Sequence, residues 1–83
     1  KHRYNANIQI RATDQGAALS VLSLVVSDMK LSITAVNGRI DKNRDAVLEA
    51  SVSLTDIADV DMLLKKLRAD KRIYEVHRIT SLS

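Results

Sequence analysis

The polar run Thr13-Asp14-Gln15-Gly16, followed at once by Ala17-Ala18-Leu19, is where this chain offers a ligand a set of donors. It joins an alternating stretch to an amphipathic one, so the free backbone N–H groups of a helix start face outward there. Such groups suit a small anion, an amino-acid carboxylate for instance. Asp14, Gln15, Gly16, Ala17 and Ala18 are therefore the candidate ligand-binding residues. Two of them also have plainer roles. Asp14 is a natural helix cap, and Gly16 supplies turn chemistry because glycine tolerates positive φ.

Catalysis finds no comparable set. His2 sits near a terminus and His77 in a basic stretch, and local spacing places no serine or carboxylate to make either a catalytic base. Two distant histidines also fall short of the roughly three or four ligands that a metal site needs. Gly16 and Gly38 are the only glycines, which excludes a glycine-rich phosphate loop. The absence of cysteine excludes disulfides and thiolate metal sites and fits a reducing compartment. The expectation is a binding domain with no catalytic residue, no metal and no cofactor of its own.

The elements that must position the turn follow from periodicity. Ala6, Ile8, Ile10 and Ala12 alternate with polar residues, the mark of a strand with one buried face. Ala18, Leu22, Val25 and Met29, flanked by Val21 and Val26, make the apolar stripe of a helix. Leu31 to Ala35 begins a second strand, and its apolar parity shifts at Val36, which predicts a bulge or twist before Ile40. A polar hairpin loop, Asp41 to Asp45, leads into the alternating third strand Ala46 to Leu54. Thr55-Asp56 opens a second helix with Ile57, Val60, Leu63, Leu64 and Leu67 as its stripe. Ile73 to Thr80 supplies the last strand.

The order β-α-β-β-α-β implies an α+β, ferredoxin-like fold. Four antiparallel strands carry two helices on one face. The first and third strands are central, and the exposed edges invite pairing. A homodimer through sheet edges follows, with Leu31, Ile33, Asn37 and Arg39 on the second strand as candidate interface residues.

Eighty-three residues make one domain, residues 1–83, and the start at Lys1 reads as a fragment of a larger multidomain enzyme. No apolar run approaches the roughly 18 residues of a membrane span and no signal pattern opens the chain. A cytoplasmic location without a membrane partner is expected. The net charge is +3, and Lys65, Lys66, Arg68, Lys71, Arg72 and Arg78 gather in the last quarter. That patch is either a solvated face or a contact for RNA or an acidic protein.

Three blocks carry a resemblance. They are Ala12-x-Asp14-Gln15-x-Ala17-Ala18-Leu19, then Leu31-Ser32-Ile33-Thr34-Ala35-Val36-Asn37-Gly38-Arg39, then Leu64-Lys65-Lys66-Leu67-Arg68 with Ile73-Tyr74-Glu75-Val76-His77-Arg78. Over nearly its whole length the chain resembles an ACT domain, closest to the C-terminal ACT domain of RelA/SpoT-type (p)ppGpp synthetases and hydrolases (GTP pyrophosphokinases). The resemblance implies a non-catalytic regulatory role in the stringent response. Its partners would be a second copy, other domains of the parent enzyme, the ribosome or tRNA, and a small amino-acid ligand. It also implies that Ser32 and Ile33, on the second strand, join the ligand site, with Ala17 standing where the family has glycine. Two alternatives stay open: an amino-acid-binding ACT domain of a biosynthetic enzyme or transcriptional regulator, and an RNA-binding ferredoxin-like module.

Overall fold

In a computed structural model, which describes residues 3–80, the alternating and helical patterns resolve into six elements. These are β1 (Tyr4–Ala12), α1 (Gln15–Asp28), β2 (Ser32–Ile40), β3 (Ala46–Leu54), α2 (Ala58–Arg68) and β4 (Ile73–Ile79). The strands form one antiparallel sheet in the order β2-β3-β1-β4, so β1 and β3 are central and β2 and β4 are edges. The α+β, ferredoxin-like arrangement expected from the element order is the one observed.

Strand pleating sends alternate side chains to opposite faces of the sheet. Ala6, Ile8, Ile10 and Ala12 of β1, with Leu48, Ala50, Val52 and Leu54 of β3, form the buried face. Val21, Leu22 and Val26 of α1 and Val60, Leu63, Leu64 and Leu67 of α2 close over it. Each of the valines, leucines and isoleucines contributes about 1.5–3 kcal/mol on burial. With no phenylalanine or tryptophan, the core is wholly aliphatic and sensitive to single methylenes.

Four details differ from the periodicity. Val25 and Met29 are only partly buried, because the α1 stripe is centred on Ala18 and Leu22 and rotates toward Val21 and Val26. Ile57 is exposed: α2 begins at Ala58, and Ile57 occupies the cap position, short of the buried stripe. The β2 bulge lies at Thr34, before the parity shift at Val36, since Ile33 pairs with Val52 and Ala35 with Ser51. Thr34 Oγ1 donates to the Ser51 carbonyl at 3.2 Å, which occupies an acceptor at the irregularity. Finally, Gly16 lies inside α1, and neither glycine has positive φ. The left-handed positions are instead Lys30 (φ 59°), just after α1, and Arg44 (φ 67°) in the hairpin loop.

The two sheet edges are unequal. β4 has 7 residues, and a register shift opposite Arg11 and Ala12 leaves Tyr74 unmatched. Arg68 of α2 also donates to the Val76 carbonyl at 2.9 Å. β2 is longer, with 9 residues, and is exposed along nearly all of them.

The hairpin loop is latched to the sheet through Asp41. Its carboxylate accepts the Arg11 guanidinium and the backbone N–H groups of Asn43 and Asp45, the latter two at 2.9 Å. The Arg11 hydrogen bond, then the Asp45 N–H, hold the Asp41 carboxyl below its ordinary value of 3.8. A depressed carboxyl stabilises the fold above its unfolded pKa and loses that contribution as pH falls through the folded one. Acid titration of the urea midpoint should therefore fall more steeply in the wild type than in Asp41→Asn, with the difference developing below about pH 4.

Candidate ligand cleft beside the second strand

The first turn of α1 is built as its sequence suggests. Asp14 is the N-cap in extended conformation, and its Oδ1 accepts the Ala17 N–H at 2.7 Å. Its carbonyl accepts the Ala18 N–H at 3.1 Å. Behind it, the Thr13 N–H donates to the Arg72 carbonyl at 3.1 Å, which ties the turn to the start of β4. Asp14→Ala should cost about 1 kcal/mol of stability, read from urea denaturation, because a lost cap leaves a first-turn donor unsatisfied.

These bonds narrow the expected ligand set. Ala17 and Ala18 are buried, and their N–H groups are taken by Asp14. Gln15 and Gly16 remain as first-turn residues facing solvent. They line a cleft of about 330 Å³ with Leu19, Val36, Gly38 and Leu48. Among the described residues, no ionisable side chain lines it. Gly38 matters because a Cβ there would stand 3.3 Å from Gln15 Nε2 and 3.4 Å from Leu48 Cδ1. The Gln15 amide thus lies across the bare backbone of the edge strand.

Ser32 and Ile33 lie elsewhere in the same chain. They pair with Ser53 and Val52, at the end of the sheet where β1 begins, whereas the α1 turn follows the opposite end of β1. One chain alone does not bring the two halves of the expected site together. The expected interface residues also divide. Leu31 and Ile33 are half-buried against the core, while Asn37 and Arg39 are exposed on the face away from the helices.

That open face holds a buried carboxylate. Glu49 has a side chain only 3% exposed, although no helix covers it. Gln9 Nε2 donates to its Oε2 at 2.8 Å and Arg39 Nη1 at 3.1 Å. The register places Asn37, Glu49, Gln9 and His77 in one row across all four strands. His77 therefore lies on the edge of a hydrogen-bonded polar row, and His2 lies outside the described residues. The described residues contain no group of three or more His, Cys, Asp or Glu that could hold a metal ion. None of their helices is long and apolar enough to cross a membrane.

The basic residues near the end of the chain are partly spent on the fold. Lys66 pairs with Asp28 at 3.1 Å, Arg72 pairs with Asp70 at 3.1 Å, and Arg68 holds the Val76 carbonyl. The open sheet face also lacks the aromatic residues that stack bases. Tyr4 stands at the start of β1 and Tyr74 at the β4 irregularity.

A family profile described as the ACT domain matches residues 1–78. The chain belongs to the ACT domain family. The solution structure of the ACT domain from the GTP pyrophosphokinase of Chlorobium tepidum matches it with a TM-score of 0.74 at 19% identity. That match covers 96% of this chain and 90% of the other. A homoserine dehydrogenase from Thiobacillus denitrificans gives a TM-score of 0.74 at 22% identity, covering 94% of this chain and 17% of that one. The acetolactate synthase small subunit from Thermotoga maritima gives 0.77 at 10% identity, covering 95% and 49%. At these identities the likeness is one of fold. Within this ACT domain, sequence reasoning missed Leu19, Val36, Gly38 and Leu48 as cleft residues. Leu19 lying off the helical stripe and a glycine inside a strand were the available signals.

Proposed function

We propose that this ACT domain regulates a bifunctional (p)ppGpp synthetase/hydrolase, a GTP pyrophosphokinase of the stringent response, from within the larger chain. It acts by pairing with a second copy along β2, by contacts with other domains or the ribosome, and by sensing a small amino-acid ligand. The observation that carries the reading is the element Val36-Asn37-Gly38-Arg39 standing on β2, an edge strand of the sheet, beside the cleft. The fold shared with the ACT domain of a GTP pyrophosphokinase supports it.

The pairing geometry supports the ligand part. An antiparallel, two-fold pairing of β2 with β2 sets the Ser32 end of one copy alongside the Ile40 end of the other. That end leads to the hairpin beside the α1 turn of the second copy, so two copies would reunite the halves that one chain separates. A ligand that favours one packing of the pair shifts the equilibrium between packings, and the catalytic domains respond.

Deleting these residues from the longer enzyme tests the reading. Both chemistries should survive while the balance of synthesis to hydrolysis no longer responds to amino-acid starvation. An unchanged response sinks the regulatory role. The homoserine dehydrogenase and acetolactate synthase folds support a second reading, a domain controlling a biosynthetic enzyme or transcriptional regulator through an amino acid. The protein sequence upstream of Lys1 separates the two: nucleotide-handling domains favour the first. The RNA-binding alternative draws no support from the open face.

A further inference from the structure

The helix-side flank of the β2 edge is apolar at two positions, Val36 (49% exposed) and Ile40 (58% exposed), with Leu19 of α1 above it. Between those two stands Gly38, and over Gly38 lies the Gln15 amide. One polar group thus interrupts an otherwise apolar strip. We propose that Gln15, seated on Gly38, is the residue that fixes the register in which a second copy of this chain pairs with β2. This rests on the edge-pairing reading above and adds to it a determinant of geometry.

The need for a determinant is physical. Side chains alternate with period two, so a slip of two residues keeps every side chain on its own face. Val36 and Ile40 are similar aliphatic groups, and contact between them discriminates poorly between such registers. An amide does discriminate. Placed against a partner's valine or isoleucine it loses water without gaining a hydrogen bond, whereas in the register that sets Gly38 opposite Gly38 it meets the partner's own Gln15 amide, which both donates and accepts. A lone polar residue in an apolar seam sets register in coiled coils by the same logic. The bare backbone at Gly38 leaves the amide room over the edge, since an added Cβ would crowd its end at 3.3 Å and shift it.

The absence of cysteine makes the register directly readable. Opposite residues of an antiparallel pair share a face, so a two-fold axis passes through a residue, and only that residue faces its own copy. Single cysteines placed in turn at Ala35, Val36, Asn37, Gly38 and Arg39 should therefore give a symmetric disulfide at one position. The Gly38 cysteine adds its own Cβ beneath Gln15, so it is interpreted only with the four flanking positions. The preference over neighbouring positions should be about tenfold, the factor set by leaving a buried polar group unsatisfied.

In a Gln15→Leu background the chain should still associate, but cross-linking should spread over adjacent positions, because a slip of two residues moves the two-fold axis by one. Gly38→Ala, which displaces the amide while keeping it, should spread it likewise. An identical single-position pattern in wild type, Gln15→Leu and Gly38→Ala overturns the register role while leaving edge pairing intact. Sedimentation showing a monomer at all concentrations overturns edge pairing itself, and the register role falls with it.

Discussion

Val36→Lys should leave the fold intact and abolish association with a second copy. Val36 is about half exposed on the helix side of β2, so a lysine there has room and water in the monomer. Pairing along β2 would bury that ammonium against Ile40 and Leu19 of the partner's strip with no carboxylate beside it. Desolvating an unpaired charge costs several kcal/mol, so the dissociation constant should rise at least about a hundredfold. Natural edge strands use the same device to remain single. Sedimentation equilibrium reads the association, and unchanged circular dichroism and urea midpoint establish that the monomer is native. If the lysine variant associates as tightly as wild type, pairing does not use this edge.

Leu22→Ala should be the most damaging of the conservative core changes on α1. Leu22 is fully buried, beneath the helix that carries the cleft and against the sheet. Truncation removes transfer free energy and leaves a cavity that an aliphatic core refills only in part, a loss of about 3 kcal/mol. For a domain of this length total stability is about 4–12 kcal/mol, so the loss is a large fraction. The urea midpoint should fall with an unchanged slope. Leu24→Ala, on the same helix but 66% exposed, should change stability by only about 0.5 kcal/mol or less.

The fold was legible because its signals are local and repeated. Ala6 to Ala12 and Ala46 to Leu54 alternate over whole strands, and an error at one position cannot overturn such a pattern. Asp14 was legible as a cap because capping needs only a side chain and an N–H three residues on. Boundaries were harder. Ile57 has the right spacing for the α2 stripe, yet the chain enters the helix one residue later, so it never reaches the core.

The cleft was half legible for a related reason. Gln15 and Gly16 announce themselves by position, but Gly38 and Val36 join them only through tertiary packing across the sheet. The buried Glu49 was invisible for the opposite reason. An isolated carboxylate at a polar position of a strand reads as solvent-facing, whereas the register with Gln9 and the reach of Arg39 help to hide it.

The inequality of the two rims has a consequence for crowded conditions. If a second copy pairs along β2 as proposed, the remaining margin is the one spoiled by a mismatched tyrosine and a helix-borne guanidinium. Under that pairing, raising the concentration would fill couples and would not extend ribbons.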